Sequence, residues 1–113
     1  MPNPIPALSP VPNSTPWNED TVFAMLGDPV RRRLLRSLAR NGALPASGLI
    51  SAAHRRLDAT LKQLFSLRAA GLLVTTPDPI DQRRMLYPLA PTLPITRTGS
   101  EVVCDFGFCR LQW

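Results

Sequence analysis

One stretch of the chain, Arg55 to Leu73 (RRLDATLKQLFSLRAAGLL), constrains the fold more than any other. At about 100° per residue, Leu57, Leu61, Leu64, Phe65, Leu67 and Leu72 fall within one broad arc. Ala59, Lys62, Gln63 and Ser66 fall on the opposite side, with Asp58 and Thr60 at the margins. This spacing predicts an amphipathic helix with a full core face. Asp58 is the expected N-cap, since a carboxylate can accept an orphan N–H of the first turn. Gly71 suits the left-handed residue that closes such a helix. The outer face carries short or flexible polar groups and a single cation, and no acid in its middle. A solvated helix usually mixes Glu with Lys, whereas a face that meets phosphate avoids acids. The helix alone permits either reading.

The chain has 113 residues, 44% of them hydrophobic, which suits one domain with a modest core. No apolar run approaches the ~20 residues of a membrane span. The N-terminus lacks the basic-then-apolar order of a signal peptide, so a cytoplasmic location is expected. Asn13-Ser14-Thr15 fits a glycosylation acceptor, a chance match in a chain without a secretion signal. Two cysteines, Cys104 and Cys109, are too few for a disulfide scaffold.

The net charge of +5 is unevenly distributed. Residues 1–27 carry only Glu19 and Asp20. Residues 28–90 carry ten arginines and Lys62 against Asp28, Asp58, Asp78 and Asp81. In residues 91–113, Arg97 and Arg110 balance Glu101 and Asp105. The basic excess therefore lies in the middle, which suggests a polyanionic partner. An arginine-rich composition without such a partner is the competing reading.

Residues 1–15 form a proline-rich arm, expected to be extended because proline fixes φ and lacks an N–H. Thr15-Pro16 reads as a helix start for WNEDTVFAML, ended by Gly27. Asp28-Pro29 restarts a helix by the same logic. Val30, Leu34, Leu35 and Leu38 fall on one side of it and Arg32, Arg33, Arg36 and Arg40 on the other, with Asn41-Gly42 as the stop. Four like charges on one face repel unless an anion relieves them, though a solvated face with stems covering apolar surface is an equally good account. ASGLISAAH fits a short third helix, capped near Ala46 or Ser47.

A short helix, a tight turn and a longer polar-faced helix are the parts of a helix-turn-helix. The turn, His54-Arg55-Arg56, is cationic and sits where the next helix presents free N–H groups, a natural phosphate corner. After Gly71, LLVTT reads as a strand, PDPID as a tip and QRRMLYPLA as a returning strand. Arg83 and Arg84 lie just past the tip, and Pro88 implies an edge strand on that side.

From about Met25 to Ala90 the chain resembles the winged-helix repressors of the ArsR/SmtB family. LGDPVRRRLLRSL resembles the family's leading helix, LDATLKQLFSLRAAGLL its recognition helix with the trailing Ala-Gly-Leu, and RRMLYPLA the outgoing strand of its wing. The resemblance covers roughly sixty-five residues, and related groups such as the MarR type share the Ala-Gly-Leu and the wing. It implies a homodimer that places one recognition helix per subunit in successive major grooves of double-stranded DNA. Asp58, Ala59, Lys62, Gln63 and Ser66 would then face bases or nearby phosphates, while Arg55, Arg56, Arg83 and Arg84 would hold the backbone. Two features depart from the family pattern. GLISAAH contains no cysteine where the family's metal motif lies, and TGSEVVCDFGFCRLQW suits a strand better than the usual dimerising helix.

No phosphate loop, dinucleotide fingerprint or paired-carboxylate motif appears, and His54 has no nucleophile motif beside it, so catalysis is not expected. No metal and no cofactor are expected either. In a straight strand a five-residue offset puts Cys104 and Cys109 on opposite faces, and an internal bridge needs a turn at Gly107. Packing thiols are the favoured reading; redox sensing, or metal binding pooled across a dimer, are the alternatives.

The expected fold is mostly α with a small β wing (α+β), a winged helix-turn-helix with an extra C-terminal strand. The arm spans 1–15, the DNA-binding domain 16–90, and the strand-like tail 91–113, packed on the domain or on a dimer partner. The expected function is sequence-specific transcriptional regulation by a dimeric repressor, with helix 58–70 in the major groove and the 73–90 wing on the backbone or minor groove. The alternatives are a winged-helix protein-interaction module without groove contact and a redox-responsive regulator using Cys104 and Cys109.

Overall fold

A computed structural model of the chain describes residues 17–113. The proline-rich arm and the Thr15-Pro16 start lie outside the described residues. The first helix among the described residues, α1 (Glu19–Leu26), opens on Asn18, whose Oδ1 accepts from the Thr21 N–H at 2.9 Å. Glu19 and Asp20 occupy its first turn, at the positive end of the helix dipole. Gly27 closes α1, and α2 (Pro29–Asn41) begins two residues on. There Asp28 Oδ1 accepts from Val30 N–H at 2.7 Å and Arg31 N–H at 3.3 Å, with proline at the first position. Gly42, at φ 80°, ends α2.

The short third helix is broken in two. A 3₁₀ turn, Ala46–Gly48, starts from Pro45 and is followed by the single-turn α3 (Ile50–Ala53). His54 then takes a left-handed conformation, φ 55° and ψ 38°, and turns the chain toward α4 (Leu57–Ala69). At the far end of α4, Gly71 at φ 86° donates to Arg68 O at 3.0 Å, and Leu72 N–H reaches back to Leu67 O at 3.0 Å. That bond pattern, with Leu67 and Leu72 both buried, is the glycine-closed helix end that the Ala-Gly-Leu sequence encodes.

The hairpin follows directly. Strand β1 (Thr76–Pro77) pairs antiparallel with β2 (Met85–Leu86), Thr76 opposite Leu86 and Pro77 opposite Met85. The pairing extends toward α4 through the Leu73–Leu89 bridge and the Val74 N–H to Pro88 O bond at 3.1 Å. The returning strand is not an edge throughout. Leu44 and Pro45 flank its other side, by the Pro45–Leu86 bridge and the Tyr87 N–H to Leu44 O bond at 2.9 Å. Pro88 stands opposite Val74 in the hairpin, where its carbonyl accepts from the Val74 N–H but, having no N–H, it returns no bond to Val74 O.

The C-terminal segment forms three strands where one was expected. The strands β3 (Ile95–Thr98), β4 (Glu101–Asp105) and β5 (Arg110–Gln112) make an antiparallel meander. Alternation along β4 sends Val102 and Cys104 inward and leaves Glu101 and Asp105 outside. Val102, Cys104, Phe106 and Trp113 join Val22, Leu26, Leu34, Leu35, Leu64 and Leu67 in one core. Trp17 meets Phe106 edge-on at 5.4 Å, and Phe23 meets Phe108 likewise at 5.5 Å, the geometry aromatic pairs favour. Among the described residues, four helices with a hairpin wing and a small sheet make a winged helix-turn-helix of the α+β class.

Candidate nucleic-acid interface

The helix-turn-helix corner is built from α3, the His54–Arg56 turn and α4. Arg33, on α2, fixes its geometry from behind. The Arg33 guanidinium donates to Ala52 O and Ala53 O, both at 3.0 Å, and so satisfies the carbonyls left open at the end of α3. Arg31 does the same for α1, donating from Nε to Met25 O and from Nη2 to Ala24 O, each at 2.9 Å. Arg32 donates to Leu26 O, and Arg97, on β3, donates to Ala39 O at 2.7 Å. The repulsion read from the α2 arginines is thus relieved by helix-end carbonyls for Arg32 and Arg33. Arg36 and Arg40 stay exposed.

Helix α4 packs by a narrower ridge than its apolar arc suggests. Thr60, Leu64 and Leu67, at i, i+4 and i+7, are fully buried, and the Thr60 hydroxyl lies 3.4 Å from Arg55 O. The reading that sets Thr60 at the margin is corrected: at 100° per residue it falls between Leu64 and Leu67, inside the arc. Leu57 and Phe65, both assigned to the core face, are instead 45% and 49% exposed. The buried ridge of α4 runs through Thr60, Leu64 and Leu67, and at 100° per residue Phe65 lies about 140° from Thr60, so its ring reaches solvent. Phe65 is the residue that sequence reasoning missed on this face. Its angular distance from Leu64 and Leu67 was the available signal.

Asp58 is not the cap. Arg56 holds the N-cap position with extended backbone, φ −68° and ψ 167°, and no side chain bonds the first N–H groups of α4. Asp58 sits in the first turn, exposed. The start of α4 therefore presents uncapped donors beside Arg55 and Arg56, both exposed; Arg55 Nη1 donates to His54 O at 2.9 Å. Ile50, His54, Arg55 and Arg56 line a shallow open depression at this corner. Donors, dipole and guanidinium groups together form an anion-attracting surface.

Further along α4, Lys62 is exposed, Ala59 and Ser66 are half-buried, and the Ser66 hydroxyl lies 3.2 Å from Lys62 O. Gln63 departs from the expected outward direction. It is half-buried and its Oε1 accepts from Arg31 Nη1 at 2.9 Å, tying α4 to α2. Arg55, Arg56, Asp58, Ala59, Lys62 and Ser66 thus share one corner and one helix side, while Gln63 turns away from it.

Arg83 and Arg84 lie on the separate hairpin tip. Their side chains are 92% and 55% exposed, paired with Asp81 at 3.2 Å and Asp78 at 3.6 Å. Asp78 Oδ1 also accepts from Ile80 N–H at 2.9 Å, and Asp81 Oδ1 from Arg83 N–H at 3.2 Å. The aspartates shape the tip; the Arg83–Asp81 pair is exposed on both sides and holds its arginine only weakly, whereas Asp78 is largely buried beside Arg84.

The cysteines lie at the opposite end of the chain. The strand does turn at Gly107, φ 93°, and both thiols are free. Burial pushes the Cys104 thiol up to about 12, with Cys109 and Asp105 adding to the effect. Burial raises Cys109 too, followed by Asp105 and Glu19. Thiols held protonated are poor nucleophiles, and the fold uses Cys104 as a core contact. Among the described residues no cluster of three or more His, Cys, Asp or Glu side chains is arranged to hold a metal ion. Among the same residues no helix is long and apolar enough to cross a membrane.

No family model matches the chain, and no curated protein matches it in sequence. Solved structures do match in shape. The YusO protein from Bacillus subtilis superimposes with a TM-score of 0.55 at 20% identity, over 63% of this chain and 50% of its own. A "probable transcriptional regulator from Pseudomonas aeruginosa" gives 0.54 at 24% identity, over 64% and 57%. The transcriptional regulator PA4135 gives 0.54 at 22% identity, over 64% and 54%. This chain spans between half and three-fifths of the length of those it matches. At these identities the likeness carries the fold, and the fold is a winged helix-turn-helix.

Proposed function

We propose that the chain is a sequence-specific, double-stranded DNA-binding transcriptional regulator, acting in the cytoplasm as a homodimeric repressor of the ArsR/SmtB kind. In this reading α4 enters the major groove and the β1–β2 wing rests on the backbone or in the minor groove. The observation that carries it is the exposed corner where Arg55, Arg56 and the uncapped start of α4 meet, continued by Lys62 along the helix. The transcriptional regulators that share the fold support the same reading. The ArsR/SmtB assignment, the dimer and the repressor role rest on the three sequence pieces that resemble that family. Arg55, Arg56, Arg83 and Arg84 would hold phosphates. Asp58, Ala59, Lys62 and Ser66 would lie nearest the bases, and Gln63 would serve through Arg31.

The direct test is binding to the intergenic DNA beside its own gene. The parent chain should retard that fragment, with affinity falling steeply as salt rises, by counterion release. Arg56→Glu with Lys62→Glu should abolish the retardation; unchanged affinity at physiological salt would defeat the proposal.

A second reading, a protein-interaction module of the same fold, is favoured by the exposed apolar side chains Leu57 and Phe65 on α4. It requires a protein partner and no steep salt slope for any duplex.

A further inference from the structure

Phe65 occupies a position that neither packing nor solvation explains. Along the outer side of α4, Asp58, Lys62, Phe65 and Ala69 follow at i, i+4, i+7 and i+11, and all four are exposed. Phe65 is 49% exposed in the middle of this stripe. Arg68, one turn on, sets its guanidinium 5.5 Å from the ring centroid, a cation–π contact that fixes the ring on the outer side. Leaving a phenyl ring in water forgoes the burial that a core position would give. The charge around it narrows the choice of partner. Arg56, Lys62 and Arg68 face solvent on the same helix against Asp58 alone, a balance that suits a polyanion.

A duplex offers such a ring one kind of apolar surface in its major groove, the 5-methyl group of thymine. We propose that Phe65 is a specificity-determining residue that packs against thymine methyl groups, so that the site recognised in each half carries thymine opposite the middle of α4. This rests on the reading that α4 enters the groove, and it adds an apolar contact to a face otherwise read through its polar groups. The placement on α4 means that truncating Phe65 removes the contact without opening the core. Arg68 orients the ring and lies within reach of the adjoining phosphates.

The test uses the full chain and a pool of randomised duplexes. After selection for binding, the enriched duplex is resynthesised with deoxyuridine in place of thymine, which keeps the pairing and removes only the methyl. The parent chain should enrich thymine at fixed positions and bind the deoxyuridine duplex about fourfold more weakly for each methyl contacted. Phe65→Ala should bind both duplexes equally, and Phe65→Leu should restore part of the preference. If Phe65→Ala keeps the parent's full preference, or if the parent binds both duplexes equally, the role of Phe65 is overturned while groove binding stands. If the parent enriches no duplex at all, the groove reading fails, and this inference with it.

Discussion

Two groups of cations share the basic middle of this chain and do opposite things. The arginines at the start of α2 are tied into the fold: Arg31, Arg32 and Arg33 donate to carbonyls at the ends of α1 and α3. Arg31 and Arg33 are half-buried, and Arg32 reaches its carbonyl from an exposed position. The cations of the corner and the hairpin tip, Arg55, Arg56, Lys62, Arg83 and Arg84, are exposed. All but Lys62 are arginines, so residue type barely distinguishes the two groups. What separates them is whether a helix end lies within reach of the guanidinium fork, whose fixed geometry spans two carbonyls as a lysine ammonium does not. Net charge therefore overstates the surface available to a polyanion, and a basic segment is best divided by what its donors already hold.

The largest effect should come from the outward group. Reversing Arg56 and Lys62 together should weaken duplex binding by at least about a hundredfold, because each reversal removes a phosphate contact and adds a repulsion. The thermal midpoint should stay where it is, since both side chains are exposed. A midpoint lowered in step with affinity would erase the distinction between the groups.

Next comes the group tied into the fold. Arg33→Ala should destabilise the fold by about 1–3 kcal/mol, because the Ala52 and Ala53 carbonyls lose their donor. A domain of this size should then melt roughly 4–8 °C lower per kcal/mol. Arg33→Lys should recover little of that stability, whereas Arg56→Lys should retain most of the DNA affinity. Full rescue by lysine at Arg33 would show that charge alone matters there.

A smaller effect is expected at the wing. Arg83→Ala should flatten the slope of log affinity against log salt by roughly 0.9 if the side chain neutralises one phosphate. Denaturant unfolding should be unchanged, because the Asp81 pair is exposed. An unaltered salt slope would remove Arg83 from the interface.

The smallest effect, outside both groups and so a control on them, concerns Cys104. Burial raises its folded pKa from the ordinary 9.0 to about 12. The unfolded chain then loses the thiol proton first, so this contribution to stability is fully present below pH 9.0 and is lost as pH rises toward 12. Cys104→Ala should show a shallower decline of unfolding midpoint across that range than the parent. Parallel declines would mean that the thiol does not ionise on unfolding.

Much of this was legible in the chain. Asp28-Pro29 capped its helix as read, because a carboxylate two residues from an N–H is a local matter. Gly71 closed α4 for the same reason. Asp58 was misread as a cap because Arg56 has the extended backbone of that position and the helix begins at Leu57. Phe65 was misread because hydrophobicity marks a broad arc, while packing uses only the ridge through Thr60, Leu64 and Leu67. Gln63 was misread because its partner, Arg31, is distant in sequence. The tail was read as one strand, since nothing local marks how often it would fold back on itself.

The order of helices, their caps and stops, the hairpin after α4 and the concentration of positive charge followed from the sequence, because each depends on residues within a turn or two of one another. Tertiary structure decided which arginines were left facing solvent, which side of α4 was outermost, and that the last twenty residues close the core as a meander. Those outcomes depend on contacts between distant segments, and a guanidinium or a phenyl ring takes its role from whatever the fold brings beside it.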